Sequence, residues 1–157
     1  QLQSSLRVYM ALAEEISHVY DNVLEFSKTI ESPVFSIRGI GPISALSIIS
    51  EYGNFISFNS PAAMLSFAGL EPSVNQSGTI ERQGKMEKRE SGYLRETIMN
   101  LIPYFMMYNP VIYEYYHKKR NEGKAHRVAS SHVARKLIRI ISYLVKNDEP
   151  FNQGKLI

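Results

Sequence analysis

The chain is 157 residues long, 44% hydrophobic, with a net charge of +3 at neutral pH, which suffices for one compact core or for a long helix joined to a smaller globular part. It has no cysteine, which excludes disulfides and thiolate metal sites and fits a reducing cytoplasm. No apolar run approaches the roughly 18 to 20 residues that span a bilayer, and no charged-then-apolar leader opens the chain, so no membrane partner is expected.

The small net charge hides an asymmetry. Residues 1–75 hold three Lys and Arg against seven Asp and Glu, whereas residues 76–157 hold fifteen against eight. A polyanion is therefore expected on the second half. Gln1 falls inside a helical pattern, and the expectation is the tail of a longer protein.

Leu2, Leu6, Tyr9, Ala13, Ile16, Tyr20, Val23, Ser27 and Ile30 follow one another at spacings of four and three, an a/d seam of about four heptads. So narrow a stripe fits a coiled coil over 1–31 that joins copies or domains. Packing on the chain's own domain is the other reading. Ser32-Pro33 then breaks the helix.

Residues 33–52 read as a helix-hairpin-helix: Gly39-Ile40-Gly41 permits a tight turn, Pro42 opens the second helix, and Ala45, Leu46 and Ile49 form its buried side. In that reading Gly39 and Gly41 leave backbone N–H groups facing a nucleic-acid phosphate. A hairpin that serves packing alone stays open. Gly53 closes the helix, Phe55-Ile56-Ser57-Phe58 is too short to assign, and Ser60-Pro61 caps a helix over 61–68 ended by Gly69.

Residues 70–90 have little helical periodicity and read as an extended, exposed loop, compatible with a short β-hairpin between Gly78 and Gly84. Ser77 lies beside Gly78 in this loop, and Arg82, Lys85, Lys88, Arg89 and Arg95 follow. A hydroxyl near guanidinium and ammonium groups suits attack on a phosphodiester, with Arg82, Lys85 and Arg89 the candidates for stabilising the charge that develops. A serine that only forms a turn is the competing reading.

Helix resumes at Ser91-Gly92 with Leu94, Ile98, Leu101, Ile102 and Phe105 on one side and an expected kink at Pro103. Asn109-Pro110 starts the next helix, which ends in a basic run. The last, over 127–146, is expected to bury Val128, Val133, Leu137, Ile140, Ile141 and Leu144. The predicted class is all-α: a long N-terminal helix, a helix-hairpin-helix and a helical bundle around one central loop.

Lys118, Lys119, Arg120, Lys124, Arg127, Arg135, Lys136 and Arg139 face only Glu122 as an opposing charge over that span, beside Tyr113, Tyr115 and Tyr116. A solvated face is the ordinary reading of such a run; the imbalance and the neighbouring rings favour nucleic-acid binding. The histidines are scattered, and none stands at metal-ligand spacing with carboxylates. His132-Val133-Ala134-Arg135 has the His-x-x-Arg pattern of tyrosine recombinases, but Tyr143 lies too close behind it for that chemistry.

Gly39-Ile40-Gly41-Pro42, Phe67-Ala68-Gly69-Leu70-Glu71-Pro72, Gln76-Ser77-Gly78, Lys88-Arg89-Glu90-Ser91-Gly92-Tyr93-Leu94-Arg95, Asn109-Pro110 and Val133-Ala134-Arg135-Lys136-Leu137, in this order, resemble the C-terminal part of bacterial insertion-sequence transposases of the Piv/MooV, DEDD-plus-serine type. The resemblance covers nearly the whole chain. It implies a site-specific DNA recombinase whose serine nucleophile maps to Ser77, with the leading helix as an interdomain coiled coil and homo-oligomers formed through 1–31.

The resemblance also implies an N-terminal RNase H-like domain whose carboxylates bind magnesium, and a structured non-coding RNA that pairs with target and donor DNA. Those carboxylates have no counterpart in this chain, which alone is expected to be inactive. The place implied is the bacterial cytoplasm, at the nucleoid. A nucleic-acid-binding and oligomerisation module without chemistry is the alternative from another class.

Overall fold

The computed structural model describes residues 1–71 and 91–156. Ser77, Arg82, Lys85 and Arg89, and the hairpin reading of their segment, lie outside the described residues. The described residues form six α-helices and three 3-10 turns and hold no strand, an all-α fold. They divide into two compact units, Gln1–Glu31 and Ser32–Ile157.

The first unit is α1, Leu2–Ser27. Leu2, Tyr9 and Ile16 of its seam, taken within this unit, are 85%, 70% and 67% exposed. The helix stops before Ile30: the Ser27 hydroxyl donates to Leu24 O at 2.6 Å and the Thr29 hydroxyl to Phe26 O at 2.8 Å. Side chains that bond to nearby carbonyls compete with helix continuation.

In the second unit a 3-10 turn, Pro33–Ser36, leads through Gly39 to α2, Pro42–Tyr52. A further 3-10 turn, Phe55–Ser57, precedes α3, Pro61–Phe67. Then come α4, Gly92–Tyr108, α5, Pro110–Asn121, and α6, His126–Asn147. The hairpin around Gly39 thus has one α-helical leg; the other is a single four-residue turn.

Side-chain caps start four of the described elements. The Ser60 hydroxyl accepts from Ala63 N–H at 3.2 Å and Asn54 Oδ1 from Ile56 N–H at 3.0 Å, each satisfying a donor that the helix start leaves unpaired. Ser91 does more. Its hydroxyl accepts from Leu94 N–H at 3.0 Å and donates to Glu51 at 2.6 Å, while its own N–H donates to Phe67 O at 2.9 Å. Ser91 therefore fastens the start of α4 to the ends of α2 and α3.

The core lies where α6 meets α3, α4 and α5, with α2 packed against α4. Leu94, Ile98, Ile102 and Phe105 of α4 and Leu137, Ile138 and Ile141 of α6 are fully buried. Each set repeats at three and four residues, the period that keeps one helix face inward. Val128, expected in this core, is 43% exposed, because it precedes Val133 by five residues and so sits about 140° around the helix. Ile140 is only partly buried; Ala129, Ala134 and Ile138 fill the interior instead. Pro103 lies within α4, and helix continues on both sides of it.

Asn109 occupies the cap position before Pro110, yet its side chain makes no cap bond. It turns inward and is fully buried, with Nδ2 donating to Arg38 O at 2.9 Å and Phe105 O at 2.8 Å. Those two bonds tie the Gly39 turn to the end of α4. After α6, Asp148 takes a left-handed conformation with φ 50°. The chain then returns until Phe151 N–H donates to the Ser36 hydroxyl at 2.7 Å.

Candidate nucleic-acid interface

The α5–α6 pair gathers the basic residues. Tyr115 of α5 is half-buried beside two cations, with Lys136 Nζ 4.9 Å and Lys119 Nζ 5.7 Å from its ring centre. A cation at this distance is drawn to the negative ring face, so one lysine from each helix is drawn to the same ring. Arg139 follows Lys136 by one turn and is exposed.

Lys119 also pairs with Glu122, at 2.9 and 3.0 Å to the two carboxylate oxygens. That bond raises Lys119 above its ordinary value and lowers Glu122 below its own. On α6, burial, and after it Arg135, Lys119 and Lys124, hold His132 below the ordinary imidazole value against the opposite pull of Glu122. Lys119, Lys124 and Arg135 therefore share one electrostatic neighbourhood centred on His132.

Two of the expected phosphate ligands are engaged with the backbone. Arg120 donates through Nη1 to Lys124 O at 2.7 Å, closing the α5–α6 turn, and Arg135 Nε donates to Ser131 O at 3.2 Å. Lys118, Lys124 and Arg127 are exposed. Four rings complete the surface: Tyr116 hydrogen-bonds His126 Nδ1 at 2.7 Å, and Tyr113 stands 4.3 Å from His117, centre to centre.

Gly39 and Gly41 lie elsewhere, on a groove of about 640 Å³ between α2 and α4 that Ser44, Tyr93, Asn100 and Tyr104 also line. Gly39 has φ +92°, and a Cβ there would meet Tyr104 O at 2.7 Å. Its conformation and its lack of a side chain serve the close approach to α4. Gly41 is exposed at the start of α2 with open space around it.

Two residues beside this basic surface were not among the sequence candidates. Tyr143 and Lys155 share a cleft with Tyr115, Lys136 and Arg139. Tyr143 follows Lys136 by seven residues and Arg139 by four, a helical spacing that marks a common face. Lys155 lies beyond the turn at Pro150, and no local pattern points to it. Among the described residues no group of three or more His, Asp or Glu could hold a metal ion, and no helix is long and apolar enough to cross a membrane.

The family model described as "Transposase IS116/IS110/IS902 family" matches residues 32–117. The chain is similar to the insertion element IS110 uncharacterized 43.6 kDa protein of Streptomyces coelicolor, 30% identical over 126 residues, or 80% of this chain and 31% of that protein. It is also similar to a probable family 20 transposase of Pseudomonas aeruginosa, 30% identical over 67 residues, or 43% of this chain and 20% of that protein. The chain thus spans less than a third of either relative's length. No solved structure matches it.

Proposed function

The chain belongs to the IS116/IS110/IS902 transposase family, and from that premise we propose that it is the part of a DNA transposase that grips nucleic acid and supplies the attacking hydroxyl. The observation that carries the binding role is the meeting of Lys119 and Lys136, from separate helices, at one tyrosine ring. Cations held this way present a patch to which backbone phosphates bind with release of counterions. Lys118, Lys119, Arg120, Lys124, Arg127, Arg135, Lys136 and Arg139 are its residues.

The chemistry assigned to Ser77 is a transesterification. Its oxygen bonds to phosphorus as the bond from phosphorus to one strand breaks; the serine proton is lost and the departing strand oxygen gains one. The phosphoserine ester keeps the bond energy until the hydroxyl of another strand end displaces it. Arg82, Lys85 and Arg89 screen the charge on the five-coordinate phosphorus. Magnesium belongs to the domain that the resemblance implies; the described residues offer it no ligand set, and no step here passes through it. DNA is the substrate, a structured non-coding RNA the partner that selects it by base pairing, and the bacterial nucleoid the place of action.

The binding role is tested by salt titration. Log affinity for a DNA duplex should fall linearly with log salt, and the double variant Lys136→Ala, Arg139→Ala should shrink that slope by about 2, roughly one unit for each phosphate deprived of its cation. A flat dependence for the unmodified chain overturns the interface.

The α1 seam supports a second reading of partners, a homo-oligomer through residues 1–31. Leu2, Leu6, Tyr9 and Ile16 are exposed at the a/d spacing that a second helix covers. Chains of two lengths, refolded together, should give hybrid dimers of intermediate size. Two separate, unmixed species would reject α1 as a self-association helix.

A further inference from the structure

We propose that the cleft between α5, α6 and the C-terminal turn receives one unpaired nucleotide of a nucleic-acid strand. This deepens the nucleic-acid reading of the basic face and rests on it. The cleft encloses about 600 Å³ and is lined by Tyr115, Lys136, Arg139, Tyr143, Phe151 and Lys155. Its volume lies within the roughly 300 to 1,000 Å³ of pockets that take single small ligands.

The walls are fixed by separate devices. Lys136, Arg139 and Tyr143 succeed one another along α6 at three and four residues, so the helix itself sets their spacing. Tyr115 closes the α5 side, with Lys136 held 4.9 Å from its ring centre. On the third side the left-handed Asp148 and Pro150 turn the chain back. Phe151 is anchored there by its N–H bond to the Ser36 hydroxyl, with its ring 6.5 Å from that of the buried Phe105. Lys155 Nζ pairs with Glu149 at 2.6 Å across the turn.

Charge and shape together select the occupant. Three cations face one carboxylate, Glu149, leaving a surplus that a phosphate neutralises. An apolar ligand would leave that surplus uncompensated, and a bare phosphate would leave the exposed Tyr143 ring unused. A nucleotide uses both, since every base has a face that stacks on an aromatic ring. Tyr143 is 49% exposed, so ring surface is available. A duplex keeps its bases stacked inside and brings only phosphates to such a surface; an unpaired residue can leave its strand and enter the cleft.

The test compares labelled single-stranded DNA, single-stranded RNA and duplex DNA of equal length, binding to the 157-residue chain at fixed salt. Tyr143→Ala should weaken binding of at least one single strand about tenfold and change duplex binding less than about twofold, whereas Tyr143→Phe should keep the single-strand affinity. Which strand responds identifies the nucleotide as deoxyribo or ribo. A strand carrying 5-iodouracil should crosslink to a peptide containing Tyr115, Tyr143 or Phe151. If both single strands and the duplex respond to Tyr143→Ala alike, or none does, while salt-dependent binding persists, the cleft proposal falls and the basic face stands. If the unmodified chain binds none of the three even at low salt, both fall.

Discussion

Gly39→Ala should destabilise the second unit by about 3 kcal/mol. Two effects add. An alanine in left-handed geometry costs about 1 to 2 kcal/mol, and forcing a methyl into occupied space costs roughly 1 to 3 kcal/mol more. The occupied space is backbone: Tyr104 O at 2.7 Å, and Tyr104 C and Phe105 Cα at 2.9 Å. α4 cannot withdraw, because Phe105 is fully buried and Asn109 holds Phe105 O and Arg38 O together. Against a typical total of about 5 to 15 kcal/mol, such a loss should lower the melting temperature by about 10 °C. Gly41→Ala is the control. Gly41 has φ −73°, and a Cβ there meets nothing within 4 Å, so the change should cost under about 1 kcal/mol, the scale of a poorer cap residue. Thermal unfolding followed by circular dichroism measures both, and equal melting temperatures would remove the close approach as the reason for glycine at position 39.

Ser77→Ala should abolish the covalent protein–DNA intermediate. In the intact transposase, with its element RNA and DNA, strand cleavage should drop by about four orders of magnitude or more, the scale of removing a nucleophile that works as part of a unit. Binding of nucleic acid should stay within about twofold, since the phosphate contacts assigned above lie on α5, on α6 and on the turn between them. Denaturing gels detect the adduct, and peptide mass spectrometry locates it. An adduct that survives in the alanine variant, or that maps to a tyrosine, would transfer the nucleophile to another side chain.

Much of the fold was legible because local chemistry dictates it. Ser60-Pro61, Ser91-Gly92 and Asn109-Pro110 mark helix starts by local chemistry: a serine cap at Ser60 and Ser91, and a proline in the first turn at Pro61 and Pro110. The seam of α1 and the inward faces of α4 follow from a period visible in about a dozen residues. Val128 shows the limit of such reasoning: it is apolar and within the helix, but which arc of α6 turns inward depends on where α3, α4 and α5 lie.

The site divides in the same way. Local composition was enough to reveal eight cations with one opposing charge, because charge density is a property of neighbours along the chain; the reading of Ser77 rests on its glycine neighbour and on the resemblance, and falls outside the described residues. Only the folded unit decided that Lys136 of α6 stands over the Tyr115 ring of α5, that Asn109 abandons its cap to hold Arg38 O 71 residues away, and that Phe151 reaches Ser36 across 115 residues. These pairings arise where helices cross and the chain returns on itself, and a periodic pattern carries no record of which distant residue will stand opposite.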